Sequence, residues 1–382
     1  MRAAAVAVAA LAVALAAGRE APAASPSPAA PPAVQGAAYV VEDARNGQIL
    51  ASSSARERLP IASITKLMTV LVTLEHHSLG DVVTVDPRAA AVGEESIYLE
   101  AGEQLTVRDL VKGALIQSAN DAADALALSV APSFKAFARL MNAKARALGL
   151  TDTHFVRPDG LDAPGAVSSA VDVTTLARDA MRIRFVRDTV RERTDTIAGG
   201  RVLHTWDDLL GVFPRVIGVK TGHTGAAGWC QVVAARGRGV TVYVTILGSP
   251  SRNVRDGDLQ ALLSWGLAQF RVVTAIDRDR VYASTSLPFG LLPVALRPSR
   301  SLLVVVRLGH PLVERVSAVR LATLPVRAGE KLGQVAIWNG GRLVGTRDLV
   351  AARAVTRPGL TGRVRWYAGR TLHHFVHFFS HL

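Results

Sequence analysis

The chain of 382 residues is long enough for two or three domains, and at least one of them can bury a large hydrophobic core. Hydrophobic residues make up 49% and charged residues 20% of the chain, which excludes a disordered or low-complexity protein. The net charge of +13 would suit a nucleic acid, but the basic residues are scattered and only six are lysine, so we expect no nucleic-acid partner.

The N-terminal segment has the pattern of a secretory signal peptide. Met1 and Arg2 precede a short Ala/Val/Leu stretch with small residues at its end. A buried helix is the alternative interpretation, but nothing amphipathic supports it. Residues 18–35 are rich in Ala, Pro and Ser and are predicted to be a linker. We therefore expect a signal peptide at 1–17 and an exported protein, in the periplasm or on the outer face of the cytoplasmic membrane.

The patterns over 36–275 predict an α+β domain. Asn46-Gly47 between two apolar runs indicates a β-hairpin, and strand patterns return late in this region. Strands at both ends of a helical block favour a mostly antiparallel sheet flanked by helices. The late strands are predicted at 216–221, 231–236 and 240–247. The helices are predicted at 63–76, 110–128, 134–148, 172–184 and 256–270.

The composition changes near residue 275. Short apolar runs separated by Gly and Pro predict a small all-β domain over 276–358. Over 359–382 apolar residues recur in steps of three and four, with Arg and His on the other side, so this segment is predicted to be an amphipathic helix. We expect it to lie in a membrane surface as a peripheral anchor; packing on the protein's own core is the alternative.

The segment Ser63-Ile64-Thr65-Lys66 places a hydroxyl and an amine about one helical turn apart. A serine hydroxyl is a poor nucleophile until a neighbour takes its proton, and a lysine can do this where its ammonium form is disfavoured. The Ser-x-x-Lys pattern is common by itself, but it occurs once here, among six lysines. Ser63 and Lys66 are therefore a candidate nucleophile and base.

The segment Ser118-Ala119-Asn120 follows Ser63 by 55 positions. The Ser118 hydroxyl could relay a proton, and the Asn120 side chain could bind a substrate amide as donor and acceptor together. A helix kink or cap is the simpler interpretation of this pattern taken alone.

The segment Lys220-Thr221-Gly222 ends an apolar strand and precedes His223. A strand edge with a glycine lets a peptide substrate pair with the backbone, and the Lys and Thr side chains could then bind a terminal carboxylate. The alternative is a plain strand-to-turn junction with a surface lysine.

These three patterns in this order resemble the low-molecular-mass penicillin-binding proteins, the serine-type D-Ala-D-Ala carboxypeptidases. The resemblance extends over about 37–270 and more loosely through the β region and the terminal helix. It implies a β-lactamase/penicillin-binding transpeptidase-like fold. The matching stretches are Pro60–Thr69, Ser118–Ala122 and Gly218–Thr224, with additional likeness in Thr153–Phe155 and Pro158–Leu161.

The resemblance also implies roles for the three motifs. Ser63 would attack the carbonyl of the penultimate D-alanine, Lys66 would activate it, and Ser118 would pass a proton to the leaving amine. Asn120 would orient the substrate. No cofactor or metal is implied, and the one cysteine, Cys230, excludes an internal disulfide or a multi-cysteine metal site.

The third motif would contact the end of the substrate. By resemblance, Lys220 and Thr221 would hold its carboxylate, and the backbone N–H groups of Ser63 and His223, the residue after Gly222, would form the oxyanion hole. Arg255 is a looser candidate for carboxylate binding. The implied partners are a peptidoglycan stem peptide ending in D-Ala-D-Ala and β-lactam antibiotics.

Three other functions share parts of this pattern. A β-lactamase would need a deacylating group such as a Glu, and no Glu lies between Glu103 and Glu192. A peptidoglycan endopeptidase would carry the same three motifs and is left open by the sequence. A non-catalytic cell-wall binding or morphology protein is disfavoured by the intact Ser63, Lys66 and Lys220.

Overall fold

The computed structural model describes residues 29–379, with side chains described up to 369 and at 371. The signal-peptide prediction at 1–17 and the first part of the predicted linker lie outside the described residues. The strands within 29–379 are β1 (Ala38–Asp43), β2 (Gln48–Ser53), β3 (Val82–Thr84), β4 (Gln104–Thr106), β5 (Thr194–Ile197), β6 (Arg201–His204), β7 (Val216–Thr224), β8 (Gly228–Gly237), β9 (Val240–Ser249), β10 (Phe270–Ile276), β11 (Ala283–Thr285), β12 (Val294–Pro298), β13 (Leu302–Arg307), β14 (Leu312–Ala318), β15 (Lys331–Asn339) and β16 (Arg342–Ala351).

Most of the helices lie before β10, and the last one follows β16. Short 3₁₀ turns lie at Ala62–Thr65 and Ala198–Gly200, and a π-helical turn lies at Gly113–Gln117. The α-helices of the described residues are α1 (Lys66–His76), α2 (Pro87–Ala90), α3 (Val107–Lys112), α4 (Asn120–Val130), α5 (Phe134–Ala147), α6 (Ala170–Ala180), α7 (Arg184–Thr189), α8 (Arg252–Ala268) and α9 (Leu360–Phe379).

The central sheet is antiparallel and has the order β2-β1-β9-β8-β7 in the described part of the chain. The hairpin predicted at Asn46-Gly47 joins β1 and β2. The strands alternate side chains between two hydrophobic clusters, one on each face, as their period of two requires. Val40 and Val232 belong to the cluster under α1 and α4, whereas Val41 and Val233 belong to the cluster under α8. Helices therefore cover both faces, and the α+β prediction is confirmed.

Two helices begin earlier than predicted because serines cap them. The Ser251 Oγ atom accepts a hydrogen bond from the Val254 N–H at 3.3 Å, so α8 begins at Arg252, four residues before the predicted start. The Ser169 side chain caps α6 in the same way, at 3.3 Å from the Asp172 nitrogen. The capping signal was present in the sequence, but the apolar periodicity began only after it.

The helix predicted at 110–128 is interrupted. It forms α3, the π-helical turn, and then α4, with Ser118 between them in the left-handed conformation at φ 64°. The Ala119 N–H donates to the Gly113 carbonyl at 3.0 Å, which closes the wide turn before α4 begins. The alanine-rich composition favours a continuous helix, so the helix was predicted without a break, although a kink or cap was the simpler interpretation of Ser118-Ala119-Asn120 taken alone.

The C-terminal region forms its own sheet, of order β11-β12-β16-β15-β14, and its own hydrophobic core. The predicted all-β character of this region is confirmed. Strand β10 follows α8 and pairs with β13, so the two regions are connected through a short two-stranded ribbon. Helix α9 follows, and among the described residues no helix is both long enough and apolar enough to cross a membrane.

Candidate active site

Ser63 and Lys66 lie where the chain enters α1. Ser63 is in the 3₁₀ turn, Lys66 is the first residue of α1, and the Lys66 Nζ atom lies 2.8 Å from Ser63 Oγ. Lys66 is fully buried, and loss of hydration lowers the pKa of its amine to about 8, although nearby carboxylates, Asp159 first, act in the opposite direction. An amine with this pKa is available in part as a base near neutral pH.

Two further acceptors surround the Lys66 amine. The Asn120 Oδ1 atom lies 2.7 Å from Nζ, and the Asp159 carbonyl oxygen lies 2.6 Å from it. The Asn120 Nδ2 group donates to the Gly93 carbonyl at 3.0 Å, which turns the amide oxygen toward Lys66. These contacts hold the amine beside the Ser63 hydroxyl, so the pair is pre-organised for proton transfer.

Lys220 and Ser118 form a second lysine–serine pair in the same site. The Lys220 Nζ atom donates to Ser118 Oγ at 2.8 Å and to the Thr221 carbonyl at 3.0 Å. Burial lowers the pKa of Lys220 well below its usual value, and the positive charge of Lys66 adds to this effect. The left-handed conformation of Ser118 turns its hydroxyl toward β7, across 102 positions of sequence.

Two glycines allow the backbone to pass close to the Ser63 turn. A Cβ atom on Gly222 would lie 2.7 Å from the Ile61 carbonyl oxygen and 3.1 Å from the Ser63 nitrogen, so only glycine lets β7 approach the serine. A Cβ atom on Gly160, which has φ +85°, would lie 2.2 Å from the Ala62 carbonyl oxygen. Glycine at both positions therefore lets the chain pack closely against the Ser63 turn.

The motifs line one cavity of about 300 Å³. His223 forms part of its wall and stacks on Trp229, with ring centroids 4.1 Å apart. Arg255 also lines the cavity; it is buried and donates to Asp256 Oδ1 at 2.7 Å. The residues lining the cavity are Ser63, Glu94, Glu95, Ser118, Trp206, Thr221, Gly222, His223, Trp229, Arg252 and Arg255.

The structure thus brings together all nine residues selected from the sequence. Six of them line the cavity, and the other three contact residues of this group. Lys66 contacts Ser63, Asn120 contacts Lys66, and Lys220 contacts Ser118. Among the described side chains, no three His, Cys, Asp or Glu residues are placed to hold a metal ion.

Sequence reasoning missed several residues of the site, among them Arg252 and Asp159. Arg252 lines the cavity, is paired with Asp208, and lies 5.5 Å from the Trp206 ring. Arg252 precedes Arg255 by three residues at the start of a helix, and this spacing could have predicted that both side chains lie on the same face. The Asp159 carbonyl contact with Lys66 had no signal beyond the family-like stretch that contains it, because the two residues are 93 positions apart.

A family model described as D-alanyl-D-alanine carboxypeptidase matches residues 25–251, the region that carries all three motifs. The chain belongs to this family. It is a serine-type enzyme of the D-Ala-D-Ala carboxypeptidase class, one of the low-molecular-mass penicillin-binding proteins, as its motifs predicted.

Relatives cover most of this carboxypeptidase. It is 32% identical to the D-alanyl-D-alanine carboxypeptidase DacC of Escherichia coli (strain K12), over 87% of each chain. It is 28% identical to DacF of Bacillus subtilis (strain 168), over 82% of this chain and 84% of the relative.

Solved structures give the same result for the fold. Penicillin binding protein 6B from Escherichia coli aligns with a TM-score of 0.64 and 27% identity, over 85% of this chain and 98% of that one. The Streptomyces K15 DD-transpeptidase aligns with a TM-score of 0.60 and 30% identity, over 63% of this chain and 100% of that one. The whole of the Streptomyces protein thus corresponds to a part of this carboxypeptidase.

Proposed function

We propose that this enzyme removes the C-terminal D-alanine from peptidoglycan stem peptides through an acyl-enzyme on Ser63, and that penicillins acylate the same serine. The observation that carries the proposal is the 2.8 Å contact between Ser63 Oγ and the buried amine of Lys66. This pair lies at a cavity lined in one part by Arg252 and Arg255, which we call the cationic wall. A hydroxyl, a base of lowered pKa and a pocket for an anionic peptide end are the requirements of this reaction.

In the acylation step, Lys66 takes the proton of the Ser63 hydroxyl as the oxygen attacks the carbonyl carbon of the penultimate residue. A new C–O bond forms, and the carbonyl oxygen becomes an oxyanion. The N–H groups of Ser63 and His223 are the proposed donors to it. The close approach of β7 to the Ser63 turn at Gly222 supports this assignment, because it brings the two backbone segments together.

To complete acylation, the C–N bond breaks, the acyl-enzyme forms, and the departing D-alanine amine needs a proton. Ser118 is the proposed donor, because its oxygen accepts a hydrogen bond from the Lys220 Nζ atom at 2.8 Å, so its own proton can go to the amine and be replaced through Lys220. The amine thus leaves with a proton, and the one that Ser63 gave to Lys66 is passed on to restore the Ser118–Lys220 pair, so Lys66 is neutral again. Water then attacks the ester carbonyl, Lys66 accepts a proton from the water, and this proton goes to the Ser63 oxygen as the ester C–O bond breaks. Asn120 keeps its proposed role of orienting the substrate.

The substrate carboxylate is proposed to bind at the cationic wall. Thr221, Arg255 and Arg252 line the cavity there, which supports the assignment. The predicted contact of Lys220 with the carboxylate stays a prediction, because the Lys220 amine is buried against Ser118 and the Thr221 carbonyl.

Arg252→Gln should raise KM about tenfold for a peptide ending in a free carboxylate, since one charge-assisted hydrogen bond is lost. It should change KM little for the same peptide amidated at its C-terminus. Steady-state release of the last residue measures both values. Arg182→Gln, on an exposed side chain paired with Asp179, is the matched control and should change neither. Equal increases for both peptides would remove Arg252 from carboxylate recognition.

Incubation of the purified enzyme with a pentapeptide stem, followed by mass spectrometry, tests the main proposal. Loss of one alanine is expected. A crosslinked stem dimer in a parallel reaction tests the endopeptidase alternative, which the comparisons do not favour. Cleavage of the dimer but not of the pentapeptide would contradict the proposal. A non-catalytic wall protein would cleave neither and would not be labelled by a fluorescent penicillin.

The enzyme is further proposed to be exported and to contact a membrane surface through α9. The signal-like pattern at 1–17 supports export. In the described part of α9, Leu360, Val364 and Tyr367 are 72%, 61% and 58% exposed. Exposed apolar side chains on an amphipathic helix favour an interfacial position, and arginines on the same helix would contact anionic headgroups.

Deletion of residues 359–382 should move the exported enzyme from the membrane fraction to the soluble fraction, while activity on a soluble peptide remains. The reason is that the deleted helix carries the exposed apolar side chains, whereas the cavity is built from residues 63–255. Fractionation of cells, with penicillin labelling of each fraction, measures the result. Unchanged membrane association would refute the anchor.

A further inference from the structure

Asp124 is a buried acid beside the base of the reaction. It follows Asn120 by one turn of α4, so the two side chains share a helix face, and Asn120 Oδ1 lies 2.7 Å from Lys66 Nζ. Asp124 is 1% exposed. Both of its carboxylate oxygens are buried without a hydrogen-bond partner among residues 29–379.

The neighbouring acids differ from Asp124 in this respect. Asp121 accepts hydrogen bonds from Ser96 Oγ at 2.6 Å and from the Leu99 N–H at 3.0 Å. Asp159 accepts from the Arg157 guanidinium and from the Leu161 N–H. Donors of this kind stabilise a carboxylate anion, whereas a buried carboxyl without donors favours its neutral form.

Charged groups from three elements surround Asp124. Lys66 projects from α1, Asp159 and Arg157 come from the loop before α6, and Asp121 lies on α4 itself. Glu95, on the loop before β4, also acts on Lys66. Burial raises the pKa of Asp124 to about 8, and the negative charge of Asp159 is the next largest cause. The pKa of Lys66 is also about 8.

We propose that Asp124 is a positioning residue for proton transfer. Its carboxylate stabilises the ammonium form of Lys66, which cannot accept the proton of Ser63. Asp124 thereby sets the pH range in which Lys66 is a base. The proposal rests on the proposed role of Lys66 as the base. When the pair loses one proton, it can become an ammonium beside a carboxylate or an amine beside a carboxylic acid. The ammonium–carboxylate state is favoured because its two opposite charges attract each other, and its ammonium cannot accept the proton of Ser63. With Asp124 present, Lys66 therefore loses its proton and becomes a base at a higher pH than it would without Asp124.

Asp124→Asn tests this, because it removes the ionisation and nearly keeps the shape. The second-order rate of penicillin acylation should be measured with the full enzyme from about pH 5 to about pH 10. The pH of half-maximal rate should fall by roughly half a unit or more in the variant, which makes acylation about threefold faster on the acid limb. Asp188→Asn, on an exposed acid, is the matched control and should keep the wild-type profile. Superimposable profiles for wild type and Asp124→Asn would overturn the proposal.

A stability measurement provides a test that does not depend on catalysis. The pKa of Asp124 is higher in the folded than in the unfolded chain, so the folded state binds the extra proton between about pH 4 and about pH 8. Wild-type stability should therefore fall with rising pH relative to Asp124→Asn, and the difference in Tm should widen from pH 5 to pH 8. A constant difference would show that Asp124 is ionised in the fold and overturn the proposal. Asp124→Leu, which needs no hydrogen bonds, gives the same comparison if the Asn variant folds poorly.

These readouts separate the two levels of inference. Failure of the enzyme to release alanine from a pentapeptide would contradict the proposed substrate, but the acylation profile and the Tm comparison would still report on Asp124. Conversely, unchanged profiles with normal alanine release would leave the proposed function intact.

Discussion

Ser63→Ala should abolish both the release of D-alanine and covalent labelling by penicillin. The variant lacks the oxygen that forms the acyl-enzyme, and the Lys66 amine, 2.8 Å away in the wild type, has no hydroxyl to activate. The expected loss is at least about a thousandfold, the scale on which removal of a covalent nucleophile acts. Alanine release by mass spectrometry and gel fluorescence after penicillin labelling measure the two effects.

Ser54→Ala provides the matched control, since this exposed serine lies outside the cavity. It should keep both activities. The fold of Ser63→Ala should be intact, because the hydroxyl has little packing role, and circular dichroism can verify this. Labelling of Ser63→Ala at the wild-type rate would assign the nucleophile to another residue, with Ser118 the first to examine.

Lys66→Met should slow acylation by about 10²- to 10⁴-fold, the usual contribution of a general base. Methionine suits the buried position but has no nitrogen to accept the Ser63 proton. In the wild type, acylation should rise with pH through about 8 and then level, because the unprotonated amine is the active form and its pKa is about 8. The variant should lose this dependence.

Lys144→Met, at a half-buried lysine paired with Glu75 outside the cavity, is the control for the loss of a lysine elsewhere. It should keep the wild-type rate and pH profile. Stopped-flow measurement of penicillin acylation across the pH range gives both quantities. A Lys66→Met enzyme that retains the rise in rate near pH 8 would show that another group accepts the proton.

Much of the site could be predicted because its chemistry is local in sequence. The three-residue spacing of Ser63 and Lys66 predicts their contact, because three residues make about one turn of helix. The apolar pattern before Lys220 predicted a strand, and β7 continues it to Thr224. The grouping of the three motifs came from the family resemblance and not from periodicity.

The break after α3 shows where local reasoning ends. The segment around Ser118 is rich in good helix formers, yet the chain leaves the helix there because the Ser118 hydroxyl and Lys220 make a buried hydrogen bond. A tertiary contact over 102 positions overrides the local preference. Such contacts have no signature in a single sequence.

The same limit applies to Asp124. Its position in an alanine-rich helix suggests a solvent-facing acid, and only the packing of α4 against α1 shows that it is buried. The Asp159 carbonyl, which contacts Lys66, could not be found from side-chain patterns either, because a backbone oxygen is common to all residues.

The position of β7 at the end of the sheet order has a consequence for inhibitors. On one side β7 pairs with β8, and on the other it has no strand partner within the described sheet. A compound with an extended amide backbone could add to that side whatever its side chains are, because main-chain hydrogen bonds do not distinguish them. An electrophile carried on such a backbone could therefore be placed at Ser63 without a β-lactam ring. Enzymes that hydrolyse the β-lactam ring would then have no bond to cleave in it.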